Sequence, residues 1–221
     1  MNTLKDVYMK YWDDYLINIR RNPNVLAANP FLIVEPKDYY NKDKRVMICG
    51  QETKGWGNEF DNDPEKATID ELFRIYKEFV NDDGGNNSPY WHFIKKLKIE
   101  CPNVEFVCNN IVKIGKRKEA GCNDSINELA LKYFPVIPEE ISILKPDLIV
   151  FITGPNYDWR IRKALGEFQI LPENQIRRFN QIVFSNKELP TSYRCYHPAY
   201  QRRIGQVDLV VSRLIDIINK L

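Results

Sequence analysis

No run of this sequence approaches the roughly 20 apolar residues needed to cross a bilayer, so no membrane span is expected. The opening stretch MNTLKDVYMK is charged and lacks an apolar signal region, which argues against export. The 5 cysteines, Cys49, Cys101, Cys108, Cys122 and Cys195, are odd in number, and none sits in a C-x-x-C pair. That pattern argues against a zinc or iron–sulfur framework and for a reducing, cytoplasmic setting. No metal and no cofactor is expected. Excess charge is missing too: 32 Lys and Arg face 30 Asp and Glu, so a polyanion would have to be held by a local patch. There is no internal repeat, low-complexity tract or linker. With 221 residues and 43% hydrophobic content, the chain can bury one full core. It reads as a single domain, 1–221, and a monomer is expected.

What is present is organised around RVMICGQETKGWG, Arg45 to Gly57. Val46 to Cys49 is a short continuous apolar run stopped by Gly50, the pattern of a strand buried on both faces. The chain then presents an amide, a carboxylate and an aromatic ring in quick succession: Gln51, Glu52 and Trp56. Three more stretches read as strands: Val104–Cys108, Asp147–Thr153 and Gln181–Ser185. Thr191–Tyr196 is a fifth strand or an extended approach to His197-Pro198.

Helical spacing of Leu4, Tyr8, Tyr11, Tyr15 and Ile19 predicts a first amphipathic helix. Thr68 and Glu71 form a T-x-x-E box before a second. The glycines of Asn81–Asn87 predict a turn, and Ser88-Pro89 opens another helix. Further helices are predicted from Asn123, from Pro138, after Asn156 as a cap, and from Val207 to the end.

Strands alternating with helices predict an α/β fold with a parallel sheet. In such a sheet Gln51, Asn110, Asn156 and His197 all follow their strands at one end, where ligands bind in open α/β folds. They would line one cleft. KIGKRK, Lys113 to Lys118, and Arg202-Arg203 would sit on its rim.

These residues resemble a family. GQETKGW is similar to the water-activating loop of the uracil-DNA glycosylase superfamily, whose commonest form begins Gly-Gln-Asp-Pro. FVCNNIV resembles that superfamily's strand ending in a base-reading asparagine. YHPAYQRR resembles its late histidine-proline motif, which carries the catalytic histidine and the loop entering the DNA minor groove. The resemblance runs in order from Arg45 to Arg203. It departs at Glu52, one methylene longer than aspartate and not followed by Pro-Tyr-His. It departs again after Pro198, where Ala199, Tyr200 and Gln201 replace small and apolar residues.

The resemblance implies a three-layer α/β/α sandwich with a central, mostly parallel sheet of about four strands. It implies DNA repair chemistry, hydrolysis of an N-glycosidic bond that excises a damaged base. Glu52 would stabilise the cationic sugar and aim a water, and His197 would donate to the base anion. Gln51 and Asn110 would contact the base, register favouring Asn110 over Asn109, and Trp56 or Phe60 would stack on it. Lys113, Lys116, Arg117, Lys118, Arg202 and Arg203 would hold phosphates, with Tyr200 as the wedge. The alternative is a catalytically inactive relative that binds a nucleobase, nucleotide or nucleic acid in the same cleft. DNA or another nucleic acid is the expected partner in the first case.

Overall fold

The structure, a computed structural model, describes residues 3–22, 24–61, 66–81, 88–119, 121, 123–173 and 176–221. Its centre is a six-stranded mixed sheet built from β1 (Lys44–Gly50), β2 (Val104–Asn110), β3 (Leu148–Phe151), β4 (Phe168–Pro172), β5 (Asn180–Phe184) and β6 (Thr191–Arg194). The spatial order is β2-β1-β3-β6-β5-β4. β2, β1, β3 and β6 run parallel to their neighbours in that series. β5 runs antiparallel to β6 and to β4.

The sheet thus has six strands where about four are expected: four run parallel, and β5 and β4 add an antiparallel edge hairpin. β4 carries no strand signal in the sequence, because only Phe168 is buried and the next four residues face solvent, so the segment has no apolar period.

Eight α-helices stand among the described residues. They are α1 (Leu4–Tyr15), α2 (Ile69–Asn81), α3 (Pro89–Glu100), α4 (Asp124–Tyr133), α5 (Ile137–Leu144), α6 (Asp158–Leu165), α7 (Pro198–Arg203) and α8 (Val207–Lys220). α1 starts at a Thr3–Asp6 capping box and continues as a π-helical turn to Arg20. Ser88 caps α3, accepting from Trp91 N at 3.3 Å, and Asn123 caps α4.

At α2 the expected box is half made. Thr68 Oγ1 accepts from Glu71 N at 3.3 Å, while the Glu71 carboxylate pairs with Arg74 at 2.8 Å. Asn156 does not cap α6: it lies exposed in a 3-10 turn, Pro155–Tyr157, and the cap position is Tyr157. The turn expected at Asn81–Asn87 falls, from residue 82 on, outside the described residues.

Alternating side chains of the central strands feed two apolar clusters, one on each face. Met47, Cys49, Val107, Ile149 and Phe151 pack with residues of α1, α4, α5 and α6. Val46, Ile48, Phe106, Leu148 and Val150 pack with α3 and α8. Covering both faces explains why β1 and β3 read as unbroken apolar runs. Cys49, Cys101, Cys108 and Cys195 are buried and none is in a disulfide among the described residues, and Cys122 lies outside the described residues. No helix among the described residues is long and apolar enough to cross a membrane.

Candidate functional site

A cleft of about 380 Å³ opens at the carboxyl ends of β1, β2 and β6. Gln51 and Glu52 enter it directly after β1, Asn110 is the last residue of β2, and His197 follows β6. Asn156, expected beside them, is not part of the lining. Two larger depressions, of about 790 and 580 Å³, lie beside Arg45 and beside Glu105, at the opposite ends of the strands. They do not gather the polar groups that follow the strands, and the carboxyl end is where open α/β sheets bind ligands.

Strand geometry separates the two asparagines. Successive side chains of a strand point to opposite faces. Asn109 is buried, donating to Glu140 Oε2 at 2.9 Å and accepting from Lys113 Nζ at 2.8 Å and from the Asn110 N–H at 2.8 Å. Asn110 turns the other way and lines the cleft, and its side-chain amide makes no hydrogen bond among the described residues. It lies across Gly50, its partner in the β1–β2 ladder. A Cβ there would stand 2.5 Å from Asn110 Oδ1, so glycine is what makes room for the amide.

His197 caps α7 with its own ring: Nδ1 accepts from Ala199 N at 3.2 Å. A nitrogen that accepts cannot carry the proton, so the neutral ring holds it on Nε2. Burial lowers the histidine pKa and keeps that neutral form. The ring lies nearly parallel to Tyr90, 6.4 Å away at 21°. His197 therefore offers the cleft one N–H donor without a positive charge.

The first loop is held from two sides. Gln51 Nε2 donates to Thr153 O at 2.8 Å, which leaves Oε1 as the free end of that amide. Glu52 Oε2 accepts from the Tyr157 hydroxyl. Gly115, on the loop after β2, packs so closely that a Cβ would stand 2.8 Å from Thr53 O. Asn29, which no pattern in the sequence singles out, is buried and donates to the carbonyls of Trp56 and Gly57 at 3.0 and 2.9 Å.

Trp56 forms part of one wall, edge-on to Phe31 at 4.7 Å and to Phe79 at 5.3 Å. Phe60, the alternative, is corrected. It ends a 3-10 turn beyond Gly57, outside the lining, and its carbonyl accepts from Arg20 at 3.1 Å. Phe31, Phe79 and Tyr90 are wall residues that sequence reasoning missed. Phe31 sits in an irregular segment, and Phe79 and Tyr90 read only as helix residues.

The expected basic rim is thinner than KIGKRK suggests. Lys113 is corrected outright: its side chain is 2% exposed and pairs with the fully buried Glu140 at 2.8 Å. Tyr8 donates to the same carboxylate at 2.6 Å. Arg117 stands 3.5 Å from Asp61, and Lys116 3.8 Å from Glu119. Lys118, Arg202 and Arg203 are exposed. Tyr200 rests on the Tyr196 ring at 4.3 Å.

No protein-family model matches the chain, and neither does any curated protein.

Proposed function

We propose that this chain is a nucleobase-handling protein of the uracil-DNA glycosylase type, a three-layer α/β/α domain that hydrolyses the N-glycosidic bond of a damaged base. One observation carries the reading. Gln51, Glu52, Asn110 and His197, brought in by separate strand ends, line a single cleft with an aromatic wall.

The chemistry suits those groups. Breaking a base–sugar bond leaves cationic character on the sugar and negative charge on the base. The Glu52 carboxylate faces the first and can aim a water. The neutral His197 Nε2–H is a preorganised donor for the second. The Asn110 amide, with one donor and one acceptor side, reads a base edge. Trp56 and its aromatic neighbours offer a stacking surface, worth ~1–3 kcal/mol per base.

A second reading, a non-cleaving relative that binds a nucleobase or nucleotide, is favoured by the thin rim. With Lys113 buried and Arg117 and Lys116 near acidic partners, Lys118, Arg202 and Arg203 are the part of the expected rim left exposed to hold a DNA backbone.

A gel assay decides between the two. Single- and double-stranded oligonucleotides carrying uracil, hypoxanthine or other damaged bases are incubated with the protein, and strands are cleaved at abasic sites. The expected result is excision slowed by roughly 10²–10³-fold, with a measurable residual rate, in Glu52→Gln and in His197→Asn. No excision from any substrate, with a base still bound, selects the second reading.

A further inference from the structure

The turn between β3 and α6 belongs to neither sequence motif on the first loop, yet it holds both of that loop's polar side chains. Thr153 O takes the Gln51 amide, and the Tyr157 hydroxyl donates to Glu52 Oε2. Tyr157 is itself fixed from behind: the Arg160 guanidinium lies 4.9 Å from its ring centroid, the distance of a cation–π contact. Arg160 is in turn 3.1 Å from Asp124 on α4. A chain of contacts thus runs from α4 through α6 to the carboxylate in the cleft.

Glutamate here needs such a partner. Its side chain has one more rotatable bond than aspartate, and no proline stiffens the backbone after it. A longer carboxylate left free samples several rotamers, and misplacement by about 1 Å costs on the order of 10²-fold in rate. Among the described residues, no hydrogen bond engages Glu52 Oε1.

From this we infer that Tyr157 is the positioning residue for Glu52: by donating to Oε2 it fixes the carboxylate so that Oε1 is the oxygen presented to the reacting sugar and water. The catalytic part of this inference rests on the glycosylase reading above. The hydrogen-bonding part does not. Tyr157 substitutes a phenol from a distant turn for the rigidity that a shorter acid followed by proline would supply locally.

The test is a double-mutant cycle with Tyr157→Phe, which removes one oxygen, and Glu52→Gln. Tyr157→Phe is expected to lower kcat for base excision by roughly 10²-fold while KM stays within about twofold. In the Glu52→Gln background the same change is expected to have no further effect, because the group it positions has lost its charge. A loss of equal size in both backgrounds, or wild-type kcat in Tyr157→Phe, overturns the inference.

If the wild-type protein excises nothing, the glycosylase reading fails, and a second measurement still decides. The carboxyl ¹³C resonance of Glu52, identified by its disappearance in Glu52→Gln, is expected to shift in Tyr157→Phe. An unmoved resonance would show that the hydroxyl does not hold the carboxylate.

Discussion

At Gly50 and Gly115 a missing Cβ serves different neighbours, and the difference can be measured. The Cβ of alanine at 50 would meet Asn110 Oδ1, the end of a rotatable side chain. Gly50→Ala is therefore expected to weaken base binding by turning the Asn110 amide away, with little change in melting temperature. At 115 the Cβ would meet the backbone oxygen of Thr53, which cannot rotate aside. Gly115→Ala is expected to cost about 1–3 kcal/mol in denaturant unfolding. The reverse order of stabilities would contradict the packing described.

His197 supplies a pH test. Its pKa is lowered from an ordinary value of about 6.5 by burial, so unfolding takes up a proton in that range. Its contribution to stability is complete above about 6.5 and is lost as pH falls through the lower folded value. His197→Asn keeps an oxygen to cap α7 and removes the titration. The melting temperature of wild type is expected to fall more than that of the variant between pH 7 and pH 5. Parallel curves would contradict a half-buried neutral imidazole.

Among elements, the loop after β2 is where sequence and structure part most instructively. KIGKRK reads as one basic cluster, but a lysine's role depends on which way its stem runs. Lys113 follows the strand inward and joins Glu140, Asn109 and Tyr8, residues from α5, β2 and α1 whose meeting no local pattern announces. Lys113→Met strands the Glu140 carboxylate and is expected to cost about 3–5 kcal/mol. Lys118→Ala, on the exposed part of the same loop, is expected to change stability by less than about 0.5 kcal/mol. Equal, small effects in urea titrations would return Lys113 to the surface. The turn after β3 was illegible for a related reason. Asn156 has the composition of a helix cap, whereas Tyr157 acts through a contact with Glu52, 105 residues away in the chain.

For the whole molecule, the legible part was the set of strands buried on both faces, because a short unbroken apolar run keeps out of water only where both of its faces are covered. Parallel order then placed Gln51, Asn110 and His197 at one end of the sheet, and the structure gathers all three in one cleft. Of the antiparallel edge hairpin, β5 is legible as Gln181–Ser185, whereas β4, exposed after Phe168, carries no burial pattern to read. On the proposed function this cleft, and no other surface, takes a nucleobase. The most direct measurement follows the ¹⁵N side-chain amide resonances of Asn110 and Gln51, assigned by substitution, as free uracil or hypoxanthine is added. Saturable shifts at Asn110 and Gln51 that disappear in Gly50→Ala are expected. Unperturbed Asn110 resonances at a base concentration that saturates shifts elsewhere would contradict it.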